Sequence, residues 1–176
     1  MTVDAMPSAV LVELVNGWGS VPREARAVDY PGEGYPPIAG IALPAGPELT
    51  DRALTLAADR LHPVFATVGA AGQARLVNEL LVETGVRPLL SVMGDHTHAN
   101  WAVGDGADAV LAAAAVALRR HLADHGSQRL GVCTGRRCAD VYIDASPAGR
   151  RRFCSVTCQN RARVATFRSR RASAQP

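Results

Sequence analysis

The chain has no lysine: all nineteen of its basic residues are arginine. Together with the abundant alanine, this matches a GC-rich coding composition and carries no mechanistic information. Cysteine is scarce too. Four cysteines in 176 residues are too few for a small disulfide-stapled scaffold, and 48% hydrophobic residues are enough to bury a sizeable core. Long apolar runs are also lacking. The longest, Ala109 to Leu118, is ten residues between Asp108 and Arg119, about half of the roughly 20 that a bilayer-spanning helix needs. No basic residue precedes the apolar run near the N-terminus, so the charged start of an export signal is missing. These absences point to a cytoplasmic globular protein without a membrane partner, in which cysteines serve as metal ligands rather than disulfides.

What is present is unevenly distributed. Residues 129–176 hold eleven arginines against Asp140 and Asp144, a net +9, whereas the first 128 residues carry eight arginines against fourteen acids, a net −6. An acidic body with a basic tail suggests a polyanionic partner, nucleic acid first, met by the tail.

The pattern predicts two domains, 1–128 and 129–176, in an α+β protein. The first is a mostly helical α/β domain with a small sheet. Ser8 to Asn16 reads as a short helix or strand ending at Asn16-Gly17, and Pro31 to Pro47, with five prolines and four glycines, reads as irregular loop. A helix capped by Thr50 or Asp51 places Leu54, Ala57, Ala58 and Leu61 on one face before Pro63 interrupts it. A second helix runs from Gly72 to Gly85 with Leu76, Leu80 and Leu81 together. Leu89 to Met93 and Ala99 to Val103 read as a hairpin whose tip contains His96 and His98. Asp105 or Asp108 opens a third helix through His125 that turns Val110, Leu111, Ala114, Leu118 and Leu122 inward and stops at Gly126.

All four cysteines lie in the tail, as Cys133-x4-Cys138 and Cys154-x3-Cys158 separated by fifteen residues. Two short-spaced pairs with a hairpin-sized gap suit one tetrahedral Zn2+ held by four thiolates. Val141, Ile143 and Phe153 are strand formers, and Asp144 to Gly149 supplies turn chemistry. A helical pattern follows from Ser155, with Val156, Val164 and Phe167 as its apolar positions. A knuckle, a hairpin and a helix carrying the last ligands is a treble-clef-like arrangement. Four thiolates leave no place for water, so the zinc, one per chain, is expected to be structural and required for the module to fold. Free buried thiols and two disulfides are the alternatives.

The segment from Cys133 to Arg171 resembles the CGNR zinc finger. The likeness rests on the two cysteine pairs, Val141-Tyr142-Ile143-Asp144-Ala145-Ser146, the Arg150-Arg151-Arg152-Phe153-Cys154-Ser155 run, and Cys158-Gln159-Asn160-Arg161. Gln159 stands where the family has glycine. In that family the finger follows an N-terminal α/β domain called ABATE, and Leu14-Val15-Asn16, Leu76-Val77-Asn78 and the domain order extend the likeness to residues 8–125. The resemblance implies a bacterial, stress-induced transcription regulator.

The tail's arginines are the candidate nucleic-acid contacts. Arg161 and Arg168 are spaced to lie on one line of the last helix, as are Arg163 and Arg170; Arg171 extends the tract, and Arg150, Arg151 and Arg152 approach from the hairpin. From Ala145 onward these eight arginines face no acid. Such a helix can meet phosphates, and arginine can read guanine. Asn160 either reads adenine or ties the helix start to the hairpin. His121 and His125, four apart, read as an exposed helix end, and His62 as a helix terminus. No nucleophile and base are arranged for catalysis, so no enzyme is expected. The expected function is a zinc-dependent DNA-binding regulator whose first domain senses a small molecule or oligomerises. The rival is a docking module for RNA or an acidic protein.

Overall fold

The computed structural model of the chain describes residues 2–37, 49–104 and 108–173. It shows an α+β fold with six α-helices and two small sheets among the described residues. In chain order the elements are β1 (Thr2–Val3), α1 (Ser8–Trp18), α2 (Ser20–Ala27), α3 (Asp51–Ala66), α4 (Ala70–Thr84), β2 (Arg87–Met93), β3 (His96–Ala102), α5 (Ala109–His125), a 3-10 turn (Ser127–Arg129), β4 (Leu130–Val132), β5 (Val141–Ile143) and α6 (Val156–Ser173). Part of the proline-rich stretch, and Asp105, lie outside the described residues.

The core of the body forms around α5. Its residues from Ala109 through Val116 are buried without a break, so the helix is enclosed on every side rather than amphipathic. Alanine permits this by letting neighbouring backbone come close: the Met6 N–H donates to the Ala113 carbonyl at 3.1 Å. Asp108 caps the helix, accepting from the N–H groups of Val110 and Leu111 at 2.9 and 3.0 Å. Leu54, Ala57, Ala58 and Leu61 of α3 and Val77 and Leu80 of α4 complete the cluster with Leu11, Leu14, Val15 and Trp18 of α1.

Several expectations need correction. Ser8–Trp18 is a helix, and a further helix, α2, follows it at once. The break is made by Gly19, where a Cβ would lie 2.4 Å from the Val15 carbonyl oxygen. Asp59 of α3 then receives both the N–H and the hydroxyl of Ser20, at 2.6 and 2.7 Å, so the cap of α2 comes from a distant element. Pro63 does not end α3. It forgoes one backbone bond, but the next turn buries Val64 and Phe65, and that burial carries the helix to Ala66.

The hairpin also differs. Its strands are longer and its turn is only Gly94-Asp95, with Gly94 at φ 61° as a II′ turn requires. His96 and His98 therefore stand in β3, not at a tip. β1 pairs with β3, through Thr2–Ala102 and Val3–Trp101, to complete a three-stranded antiparallel sheet ordered β1-β3-β2.

In the tail, the second sheet pairs β4 with β5, matching Leu130 with Ile143 and Val132 with Val141. Phe153 is in no strand, because its neighbours' backbone is taken up by side chains of the finger. This ribbon lies on α1 and α3, and Leu130 and Val141 join the same buried cluster as the body. Asn16 forms the joint. Its side-chain amide donates to the Val141 carbonyl at 3.1 Å and accepts the Val141 N–H at 2.7 Å, as a neighbouring strand would.

Candidate metal centre and basic face

The chain from Val132 to Cys138 folds back as a knuckle. Cys133 N–H donates to the Asp140 carbonyl at 2.8 Å, and Cys138 N–H to the Gly135 carbonyl at 3.2 Å. Arg137 takes φ 57°, the one non-glycine residue of positive φ among those described. Its guanidinium reaches Asp29, just beyond α2, at 2.8 Å. Gly135 lies against the sulfurs: a Cβ there would meet Cys133 Sγ at 3.2 Å and Cys158 Cβ at 3.4 Å. Its N–H donates to Cys133 Sγ at 3.3 Å.

The second cysteine pair is set by the start of α6. Ser155 Oγ accepts the Cys158 N–H at 3.2 Å, an N-cap that fixes the first turn and with it Cys158. The four Sγ atoms converge within 4.8 Å of one another. Cys138 and Cys154 are 3.7 Å apart, and Cys154 and Cys158 are 3.6 Å apart. Tetrahedral thiolates at about 2.3 Å from zinc stand roughly 3.8 Å from each other, so the donor set and its spacing fit Zn2+. A disulfide needs about 2.05 Å. Cys133, Cys138, Cys154 and Cys158 are thus a four-thiolate metal site, and a bound zinc would cross-link knuckle and helix.

Burial pushes the Cys138 thiol up to about 12 and raises Cys154 as well. Cys158 moves the other way. Burial opposes its ionisation, but hydrogen bonds from Cys154, Ser155, Cys138 and Cys133 outweigh that and lower it. Among the described residues, Asp140 Oδ2 is the one carboxylate oxygen at hydrogen-bond range of the cluster, 3.4 Å from Cys154 Sγ.

Between the cysteine pairs, Asp144 organises the turn. Only 3% exposed, it accepts the Ser146 N–H at 2.9 Å and the Arg151 N–H at 2.8 Å. Hydrogen bonds from Ser146 and from the Arg151 backbone hold its carboxyl at about 2, well below the usual range. Tyr142 lies across Gly131, where any Cβ would meet its hydroxyl oxygen at 2.6 Å, and donates to the Arg151 carbonyl at 2.7 Å.

Residues 129–171 match the CGNR zinc finger family. Over these residues the tail is similar to the CGNR zinc finger. No curated protein matches the chain. Gln159 is half-buried at the edge of a groove of about 330 Å3, lined also by Arg150, Arg151, Arg152, Phe153, Ser155 and Val156.

The finger's arginines fall into distinct sets. Arg151 is exposed but bonded to the finger's own backbone: its guanidinium donates to the carbonyls of Phe153 at 2.9 Å, Ile143 at 3.2 Å and Cys154, and lies 5.3 Å from the Tyr142 ring centroid. Arg161 donates to the Tyr30 hydroxyl at 3.0 Å. Arg150, Arg152, Arg163, Arg168 and Arg170 have exposed side chains, and Arg171 lies over Phe167 at 5.7 Å. The apolar positions of α6 are not inward: Val156 is 70% exposed and Phe167 60%. Asn160 is exposed and has no partner among the described residues, so it does not tie the helix to the hairpin.

Asn16 and Arg129 are the residues that sequence reasoning missed. Arg129 donates to the carbonyl of Ser146 and fixes the turn from the body side. An asparagine before glycine and a lone arginine carry no signal of such distant partners. His62 is no helix terminus: it is buried within α3, its Nε2 3.2 Å from the Ala139 carbonyl. His121 and His125 have rings 4.9 Å apart, and burial followed by the charge of His125 lowers the pKa of His121.

Proposed function

We propose that the protein is a zinc-dependent, DNA-binding transcription regulator of the bacterial cytoplasm, of the stress-induced kind, in which the finger contacts DNA and an ABATE-like body senses a small molecule or self-associates. It acts by binding rather than as an enzyme. The observation that carries this reading is α6, a helix held at one end by the metal site and exposed from Arg163 to Arg171. Arg163, Arg168 and Arg170 extend freely from it, and Arg150 and Arg152 line the groove beside its first turn. These cations suit phosphates, and Asn160, exposed two residues after the candidate ligand Cys158, suits a base edge. Arg151 is a positioning residue that shapes the groove. No helix among the described residues is long and apolar enough to cross a membrane.

Titration of the zinc-loaded chain with duplex DNA at two salt concentrations tests this. Tight binding at low salt that weakens linearly in logarithmic plots is expected, with Arg163→Gln and Arg168→Gln each reducing the slope by about 1. Absent or salt-indifferent binding rejects it. The second reading, a docking module for RNA or an acidic protein, is favoured by the exposed Val156, Val164 and Phe167. Recovery of a protein partner after nuclease treatment, lost in Phe167→Ala, supports it.

A further inference from the structure

The hairpin of the body carries apolar surface that the finger does not explain. β2 is the outer strand of its sheet, and its far side has no neighbouring strand among the described residues. Leu90 is 70% exposed and Val92 71%, and Leu89 and Met93 on the opposite face are also exposed. Such an edge, apolar on both faces and bearing no inward charge, is a template for another strand.

The ribbon's geometry defines which backbone groups are open. A two-residue turn makes Met93 and His96 exchange both backbone bonds, and alternation continues inward through Ser91–His98, Leu89–Asn100 and Arg87–Ala102. Leu90 and Val92 then direct N–H and C=O groups to the open side. Pro88, the remaining residue of that set, has no N–H to offer.

We propose that two copies of this chain pair through β2, antiparallel about a two-fold axis at Ser91, to form one continuous sheet. In this register Leu90 and Val92 exchange backbone bonds with the partner's Val92 and the partner's Leu90. Leu89 meets the partner's Met93 on the other face, and small Ser91 residues meet on the axis. Arg87 stands opposite the partner's Asp95. Among the described residues neither Arg87 nor Asp95 forms an ion pair, so the charges at the start of the strand and in the turn beyond its end are complementary under this symmetry. An axis at Leu90 instead would set Arg87 against the partner's Met93 and require the N–H that Pro88 lacks. Self-complementarity of charge and apolar side chains together favours a second copy over an unrelated strand.

This inference takes up the self-association part of the reading above. Its test uses no nucleic acid, so its failure is separate from failure of DNA binding. Sedimentation of the zinc-loaded full chain at tens of micromolar should show a dimer. Leu90→Lys should sediment as a monomer with unchanged zinc content and far-UV circular dichroism. Arg87→Asp and Asp95→Arg should each weaken the dimer about tenfold, and the double variant should return to near the original affinity. A monomeric parent chain, a folded Leu90→Lys variant that remains dimeric, or a double variant no stronger than the singles overturns the proposal.

Discussion

The body and the finger solve the same problem with opposite means. The body buries a continuous apolar helix, α5, against α3, α4 and β1, and its order comes from close packing. The finger contributes little beyond Leu130, Val141 and Tyr142 to any buried cluster. Its turns are held by a hydrogen bond to Asp144 and one from Tyr142, by the guanidinium of Arg151 on its own backbone, and by convergence of four sulfurs. A segment too small to enclose a core uses specific polar bonds and a cation, which also leaves its surface free to be charged. The body buries the polar side chains of His62, Gln73 and Thr84 among many apolar ones, whereas the finger's turn is organised by the buried carboxylate of Asp144.

Removing the metal should break this comparison most completely. Structural zinc is associated with apparent binding energies on the order of 10 kcal/mol, so chelation or Cys154→Ser should unfold the knuckle and release α6 while α3, α4 and α5 persist. Hydrogen exchange resolved along the chain measures this, and uniform protection after chelation would contradict it. Acid should act like a chelator, because the thiolates must take up protons before the metal leaves.

Next in size is the body's own weak point. Leu118→Ala should cost about 2–5 kcal/mol in denaturant unfolding, with zinc content unchanged, because the site is fully buried on a helix that cannot collapse further.

Asp144→Ala should cost about 3 kcal/mol by leaving two N–H groups in the turn without partners. The carboxyl has a pKa of about 2 in the fold against 3.8 ordinarily. Its contribution is therefore fully present above about 4 and lost as pH falls towards 2, and Asp144→Asn should flatten that part of the acid titration of stability.

Asn16→Ala addresses the joint between the two regions. It should cost about 2 kcal/mol by orphaning the Val141 N–H and C=O, and should loosen β4 and β5 in hydrogen exchange more than α5. Smallest of all, Arg75→Ala removes an exposed ion pair with Glu79 and should change stability by less than about 0.5 kcal/mol.

Much of the arrangement was legible in the residues. The helical periodicity of α3 and α5, the stop of α4 at Gly85 and the cysteine spacing each reflect constraints that act over a few positions, such as face alternation, caps and ligand bite. The sequence also marked α6 as a helix but not its exposure, because Val156, Val164 and Phe167 look like a core stripe whether or not a neighbour covers them. The short β1, the start of α2 on Asp59 and the continuation of α3 through Pro63 were not legible. Each depends on a partner far along the chain.

The linear order of amino acids determined by itself the two chemical characters of the molecule, an alanine- and leucine-rich acidic body and an arginine-rich segment with four paired thiols, since composition and local spacing need no tertiary contact. Only the tertiary structure decided which arginines bond within the chain, that Asn16 joins body to finger, and that β2 and α6 remain open, because exposure and pairing depend on which elements meet in space.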